Sequence, residues 1–383
     1  MEMKQVSALV NDVTKQFIGE IGIKTENTDF VDVGKNVLSS DTAKEQFMST
    51  LANRIGQDIY VGRTYDSIAP DFTNLDWQGY GSVLSKVRIN PVKDAENNPS
   101  WDFDTMDTDN DLWTYNPPEC IQYFYNKKTT FEIPVTKSDI QIRESFTSPE
   151  KLEQFWGNVS REVENSLQLK YDTLKNMTLA NFIGEKINKN SAVIDTLAMY
   201  NAEYGTTLTA DKAMGDKDYL RYTAYIMLLY RKRMMSMSKL FNVSSYPTFS
   251  REDDIRTIVL DNFSQALEVF LQSDTYHNEL VKLPNYKSVP YWQGSGTDFS
   301  FDNVSKIDIT LASDSVTNVK RNHIIGVMVD KWGIMVNNDF RRTPVSYNPR
   351  REMLTMYYKS DVSYCNDLSE NGIIFVCGAG NVT

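Results

Sequence analysis

Apolar side chains recur with helical spacing near the start of the chain, and polar sequence separates the two groups that they form. The first group is ended by Gly19 and Gly22, and the polar sequence then continues to Ser40, which can cap a second helix. The two groups are Val6, Leu9, Val10, Val13 and Phe17, and then Phe47, Leu51 and Ile55. We expect residues 1–45 to form an arm rather than the centre of a core.

Between residues 76 and 146 the apolar period changes to two, which is typical of β-strands. Three sets alternate with polar residues: Val87 and Ile89; Ile121, Tyr123 and Tyr125; and Phe131, Ile133 and Val135. A stretch rich in proline, asparagine and aspartate, residues 91–119, separates the first set from the second. The pattern predicts a β-hairpin excursion with a long acidic tip.

A long amphipathic helix is predicted over residues 148–187. It begins at Ser148-Pro149-Glu150, where proline suits the first helical position, and no further proline occurs before Pro247. Its apolar positions are Leu152, Phe155, Trp156, Val159, Val163, Leu167, Tyr171, Leu174, Met177 and Phe182. At about 1.5 Å per residue the helix would be roughly 55–60 Å long, so we expect a strut shared by more than one structural unit.

The remainder of the chain alternates between helices and short strands. The pattern predicts helices at 218–241 and 264–272 and strands at 255–260, 306–311, 324–329, 334–336, 353–358 and 373–376. No series of strand–helix–strand units appears, so we predict an α+β fold with a bias toward antiparallel strands.

Composition narrows the functional classes. The chain of 383 residues has no apolar run of 18 residues, and its first twenty residues lack the apolar block of a signal peptide, so we expect no membrane span and folding in a cytoplasm. The net charge of −11 argues against wrapping nucleic acid but allows a protein that encloses it at a distance. The odd number of widely spaced cysteines, Cys120, Cys365 and Cys377, predicts small buried thiols rather than a disulfide framework.

The sequence carries no recognisable catalytic or metal-binding pattern. Neither of the two histidines, His277 and His323, has a second ligand at metal-binding spacing. The sequence contains no nucleophile elbow, Walker motif or Gly-x-Gly-x-x-Gly. We therefore predict no catalytic, cofactor or metal site and no enzymatic activity.

The acidic tip is open to three interpretations. Asp107-x-Asp109-x-Asp111 imitates the start of a calcium loop, but Leu112 stands where the turn glycine is required and Pro118 where the bidentate glutamate is required. The tip could instead be a solvated loop, or it could dock on a basic patch of a neighbouring subunit. The candidate contact residues at the tip are Asp102, Asp104, Asp107, Asp109, Asp111, Trp101 and Trp113.

Candidate basic partners of the tip occur later in the chain. They are Arg231-Lys232-Arg233, Arg341, Arg342, Arg350 and Arg351. Each could equally be solvated surface, and the tip aromatics could simply order their own loop. The methionine-rich segment 227–237 fits either an adaptable partner surface or a core helix.

The order of these elements resembles that of the major capsid proteins of tailed bacteriophages, which have the Hong Kong 97 fold. An arm, a β-excursion and a long helix follow one another in both. The segments that carry the resemblance are Ile133–Ile140, Ser148–Glu150, Val329–Ile334, Asn348-Pro349-Arg350-Arg351, Asp361-Val362-Ser363 and Gly372–Phe375. The similarity lies in architecture and weak pattern over nearly the whole chain.

The resemblance implies a division into the parts of that fold. Residues 1–45 would be the N-terminal arm, and 76–146 the extended E-loop. The P-domain would comprise 46–75, 147–190 and 341–365, with 148–187 as its spine helix, and the A-domain would comprise 191–340 and 366–383. No residue here matches the covalent cross-link of the namesake phage.

The resemblance also implies a function. The chain would assemble with itself into pentamers and hexamers of an icosahedral head around double-stranded DNA, without cofactor, membrane or sequence-specific DNA contact. It would be made in the host bacterial cytoplasm and reside in the virion, with separate scaffolding, portal and decoration proteins as candidate partners. The alternatives are an encapsulin-type compartment shell and a soluble enzyme with an unrecognised carboxylate site.

Overall fold

The computed structural model describes residues 69–73, 84–89, 117, 119–145, 149–272, 286–293 and 304–378. The predicted arm and most of the acidic tip lie outside these residues. The helices are α1 Asp139–Ser145, α2 Pro149–Asn188, α3 Thr196–Tyr204, α4 Ala210–Ala213, α5 Lys217–Met234 and α6 Asp261–Gln272. The strands are β1 Leu84–Ile89, β2 Cys120–Tyr125, β3 Lys128–Ser138, β4 Val193–Asp195, β5 Ile255–Leu260, β6 Tyr286–Val289, β7 Ile307–Thr310, β8 Asn318–Arg321, β9 Ile324–Asp330, β10 Ile334–Arg342, β11 Val345–Asn348, β12 Met353–Asn366 and β13 Gly372–Val376.

A five-stranded mixed sheet in the order β4-β13-β9-β5-β6 lies at the centre of the core. Successive residues of its strands point to opposite faces, and both faces are covered. In β13, Ile374 packs with Phe182 of α2 on one face. Its neighbours Ile373 and Phe375 pack with α5 and α6 residues on the other face. Burial on both faces explains why β13 is apolar throughout and β9 is apolar up to Asp330.

A second sheet is organised around the long strand β12. Strand β3 pairs with one edge of β12, while β11 and β10 pair with successive parts of the other edge. Helix α2 contacts β12, β10 and β3 of this sheet and also β13 of the central sheet. The prediction of a long helix is confirmed, and its role as a strut follows because it packs on both sheets.

The predicted hairpin pairing is present. Strands β1 and β2 are antiparallel, with Leu84 opposite Tyr125 and Ile89 opposite Cys120. The third predicted alternating set belongs to β3, which pairs with β12 instead, with Val135 opposite Met356.

Several sequence-based boundaries were wrong. Helix α5 ends at Met234 rather than at residue 241, because the chain turns into a loop that a backbone bridge between Ser238 and Thr248 closes. Strands β10 and β12 are longer than predicted because they pair with each other over most of their length.

Two buried-side-chain predictions also need correction. Met177, assigned to the apolar face of the long helix, is 55% exposed. All three cysteines are among the described residues and none forms a disulfide, but Cys120 is exposed whereas Cys365 and Cys377 are buried. The exposed face of β2 accounts for Cys120, since the residues of a strand alternate between two faces.

Helix α3 was missed by the sequence analysis, although its ends carry recognisable signals. Asp195 caps its first turn by accepting hydrogen bonds from the backbone N–H groups of Leu197 and Ala198. Gly205 ends it in the left-handed conformation with φ of 64°. An aspartate and a glycine at this separation would have indicated the helix.

Candidate functional site

The inner face of the β1–β2 hairpin carries charged residues that bind the rest of the chain. Lys86 Nζ lies 2.6 Å from Asp367 Oδ2 and also forms an ion pair with Glu370. Arg88 donates hydrogen bonds to the carbonyl oxygen of Ser369 at 2.9 Å and to Thr248 Oγ1 at 2.7 Å. The hairpin is therefore docked through two cations on a turn that follows β12.

The charges of this cluster stabilise one another. Burial alone would raise the pKa of Asp367, but the charge of Lys86 and the hydrogen bonds from Lys86 and Ser369 lower it. Burial alone would lower the pKa of Lys86, but Asp367 and Glu370 raise it. Both partners are thus held in their ionised forms. We call Lys86, Arg88, Asp367 and Glu370 the hairpin latch.

The outer face of the same hairpin exposes three apolar side chains beside Ser85 and Gln122, which are hydrogen-bonded to each other. Val87, Ile89 and Phe124 are 60%, 62% and 65% exposed. The cross-strand register places all three on the side opposite Lys86 and Arg88. We call Val87, Ile89 and Phe124 the outer hairpin face. Neighbouring exposed apolar side chains are typical of a contact surface for another molecule.

The long helix α2 also exposes a row of three uncharged side chains. Leu169, Thr173 and Met177 follow one another at a spacing of four and are all exposed. The Thr173 hydroxyl donates to the carbonyl oxygen of Leu169 at 2.7 Å, so its hydrogen is used within the helix. We call these three residues the α2 stripe.

The predicted basic residues have different surroundings. Arg341 lies 3.6 Å from Glu164 of α2, and Arg342 forms an ion pair with Asp361 of β12. The hydrogen bond from Arg342 helps to lower the pKa of Asp361. Both arginines are therefore offset by carboxylates of the same chain.

One segment proposed as a basic surface patch is partly internal. Arg231 is buried and donates to Thr257 Oγ1 at 3.2 Å and to the carbonyl oxygen of Glu252 at 3.0 Å. The expectation that Arg231 belongs to a surface patch was wrong, because it lies on the inward side of α5. Its neighbours Lys232 and Arg233 are exposed.

The turn between β11 and β12 carries exposed positive charge. The backbone N–H groups of Arg350 and Arg351 donate to Asn348 Oδ1 at 3.2 and 3.3 Å, which fixes the turn. Both arginines are exposed, and neither forms an ion pair with a described residue. The acidic candidates Asp102, Asp104, Asp107, Asp109 and Asp111, and the aromatic candidates Trp101 and Trp113, lie outside the described residues.

The described residues include neither a metal-binding cluster nor a helix that could cross a membrane. No group of three histidine, cysteine, aspartate or glutamate side chains there could hold a metal ion. No described helix combines the length and apolar character needed to cross a membrane.

Comparison with known proteins identifies the family. A family model described as Phi29-like phage major capsid protein matches residues 6–376. A chain of the capsid structure of Staphylococcus phage Andhra is 13% identical, with a TM-score of 0.50 over 83% of this chain and 87% of that chain. A chain in the structure of head fiber and inner core protein gp22 of native bacteriophage P68 is 12% identical, with a TM-score of 0.52 over 83% and 88%. No curated protein matches the chain.

The two structural likenesses show a shared mixed helix and sheet fold, and the family model spans nearly the whole sequence. The chain belongs to the Phi29-like phage major capsid protein family and is a structural protein of the phage head shell.

Proposed function

We propose that this chain has the Hong Kong 97 fold and builds an icosahedral head from pentamers and hexamers that enclose double-stranded DNA. Its role is structural rather than catalytic. The net charge of −11 supports enclosure of DNA without specific binding, since a surface of like charge does not adhere to phosphate. Assembly takes place in the host cytoplasm, and scaffolding, portal and decoration proteins are candidate partners.

The domain assignment follows the sequence analysis with one adjustment. Residues 1–45 are the N-terminal arm, α2 is the spine helix of the P-domain, and the central five-stranded sheet belongs to the A-domain. Strand β3 pairs with β12 along its whole length. That pairing supports placing β3 in the P-domain and ending the E-loop near residue 127.

The exposed outer hairpin face is the observation that carries the proposal for contacts between copies. A two-stranded hairpin has no second layer of its own, so Val87, Ile89 and Phe124 stay in water unless another molecule covers them. A shell protein meets many identical copies, so the occupant is a second copy of this chain. The α2 stripe, which is uncharged and exposed, is a surface of matching character on that copy.

The test compares two valine substitutions. Val87→Asp places a charge on the outer hairpin face, whereas Val316→Asp places the same charge at another exposed valine, far more accessible at 87%. We expect Val87→Asp to reduce the assembled fraction, measured by sedimentation and electron microscopy, at least tenfold. Val316→Asp should assemble like the wild type. If Val87→Asp formed shells normally, the outer hairpin face would not be a contact surface.

Electron microscopy also distinguishes the kinds of shell. Particles that hold DNA and have a portal vertex agree with a phage head. Closed shells with protein cargo would contradict it, and a chain that stays monomeric at high concentration would contradict any shell.

We further propose that the acidic tip of one copy contacts the basic turn Arg350–Arg351 of a neighbour. The support is charge complementarity: the tip has five candidate aspartates, and the two arginines have no described carboxylate partner. Converting Arg350 and Arg351 to glutamine should weaken assembly and reduce its dependence on salt. The same change at Lys232 and Arg233, another exposed basic pair, is the matched control. Equal behaviour of the two double variants would exclude this contact.

A further inference from the structure

The hairpin latch joins parts of a single chain, and the connection between strands enforces this. Only Asn126 and Lys127 separate β2 from β3. The carbonyl oxygen of Lys127 accepts a hydrogen bond from the backbone N–H of Tyr364 at 3.2 Å, so the base of the hairpin is fixed beside β12. The acidic partners Asp367 and Glu370 follow directly after β12. The hairpin base and its anions are therefore neighbours before any second copy arrives.

The latch has a physical task because the hairpin cannot hold its position by itself. A two-stranded hairpin is marginally stable in water. On the inward side Ile121, Tyr123 and Tyr125 are only partly buried, and Lys86 and Arg88 add the charged contacts. The side chains of Lys86, Asp367 and Glu370 are 19%, 2% and 11% exposed. Ion pairs shielded to this degree are screened by salt much less than pairs at an open surface.

The arrangement of the two faces links the latch to assembly. Residues alternate along β1, so fixing Lys86 and Arg88 inward also fixes Val87 and Ile89 outward. We infer that Lys86, Arg88, Asp367 and Glu370 are positioning residues that set the direction of the hairpin and present its outer face to the next copy. This inference rests on the proposed contact role of the outer hairpin face.

The latch is tested on unassembled subunits by amide hydrogen exchange. Lys86→Met removes one cation while keeping an unbranched side chain of similar length. We expect exchange of the amides of β1 and β2 to accelerate at least tenfold, while the amides of β9 and β13 keep their protection. Lys86→Arg should restore slow exchange, because it restores the positive charge. Hairpin exchange within twofold of the wild type in Lys86→Met would overturn the inference.

A matched control removes an ion pair elsewhere. Lys359 Nζ lies 2.7 Å from Glu132 Oε2, and this pair joins β12 to β3. Lys359→Met should leave hairpin exchange unchanged. If Lys86→Met also lost protection in β9 and β13, so that folding itself failed, Glu370→Gln would decide in its place. It weakens the same latch without deleting a side chain, and the same acceleration confined to β1 and β2 is expected.

Assembly kinetics test the positioning role separately. Lys86→Met should lower the initial rate of shell formation, followed by light scattering, at least fivefold, and Lys86→Arg should recover it. Faster hairpin exchange with an unchanged assembly rate would overturn the positioning role. Failure of the proposed contact surface has a different signature, since Val87→Asp would then assemble normally whatever the exchange data show.

Discussion

Replacement of Lys186 by methionine should make the stability of the subunit much less dependent on pH. Lys186 is fully buried in α2, and its Nζ donates to the carbonyl oxygen of Phe241 at 2.6 Å. Burial lowers the pKa of Lys186 from 10.5 to about 7. The charged form is therefore disfavoured in the folded protein, whereas in the unfolded chain it persists to much higher pH.

The sign follows from proton counting. Between pH 7 and 10.5 the unfolded chain binds more protons at this site than the folded chain, so stability rises with pH. This stability is lost as the pH falls from 10.5 to about 7, and below that both states are protonated. Each pH unit in this window corresponds to about 1.4 kcal/mol, so the wild type should gain roughly 2–3 kcal/mol relative to Lys186→Met between pH 7 and pH 9.

The Lys186→Met substitution leaves no buried hydrogen-bond acceptor without a donor. The carbonyl oxygen of Phe241 also accepts a hydrogen bond from the backbone N–H of Gly372 at 2.9 Å, and it keeps that bond when Lys186 is replaced. Methionine fills a similar volume with apolar atoms. Both proteins carry the same other titrating groups, so their contributions cancel in the difference.

The measurement is urea unfolding of unassembled subunits at several pH values, followed by tryptophan fluorescence; Trp292 is fully buried. The free energy of unfolding of Lys186→Met minus that of the wild type should change little below pH 7 and fall from pH 7 to pH 9. Lys170→Met, at an exposed lysine of the same helix, provides the control and should give a flat difference. A flat difference for Lys186→Met as well would refute the reasoning.

Three further substitutions test the packing around the central sheet, each by the change in the free energy of unfolding at constant pH. Asp195→Ala removes the cap of α3 together with a hydrogen bond from the backbone N–H of Gly378 at 2.9 Å. It should lower the free energy of unfolding by about 1–2 kcal/mol, and Asp195→Asn should recover part of this loss. Gly372→Ala brings a Cβ to 2.7 Å from Phe182 Cζ in a filled core, so a loss of about 1–3 kcal/mol is expected, and an unchanged midpoint would contradict the packing. Thr196→Val abolishes the hydroxyl contacts with Tyr219 Oη at 2.8 Å and with the carbonyl oxygen of Val376 at 3.1 Å. It should lower the free energy of unfolding by about 1–3 kcal/mol, and Thr196→Ser should lower it less because the hydroxyl is kept.

Local sequence signals predicted the elements that are governed by local chemistry. Pro149 and the three-and-four apolar spacing gave α2 to within one residue at each end. The run Ile255–Leu260 was predicted as a strand with the bounds that the structure has. The family suggested by the order of elements, that of phage major capsid proteins, is confirmed by the family model.

The surroundings of the candidate contact residues could not be predicted from local sequence signals. Arg341 and Arg342 are adjacent in sequence, yet one faces α2 and the other faces Asp361 because strand residues alternate between faces. The roles of Lys86 and Arg88 could not be predicted from the sequence. Their partners Asp367 and Glu370 lie more than 280 residues away along the chain. The assignment of the acidic tip to a contact between copies remains a prediction.

The sequence by itself determined where the long helix α2 begins, which segments alternate as strands, and the absence of recognisable catalytic motifs. These properties depend on neighbours within a few positions, so a single chain can be searched for them. Only the tertiary structure decided that β3 belongs with β12 and that Arg231 and Lys186 are internal. It also decided that Lys86 and Arg88 face the turn after β12 while Val87, Ile89 and Phe124 are exposed. Those outcomes depend on residues that are distant along the chain and become neighbours only when both sheets pack against α2.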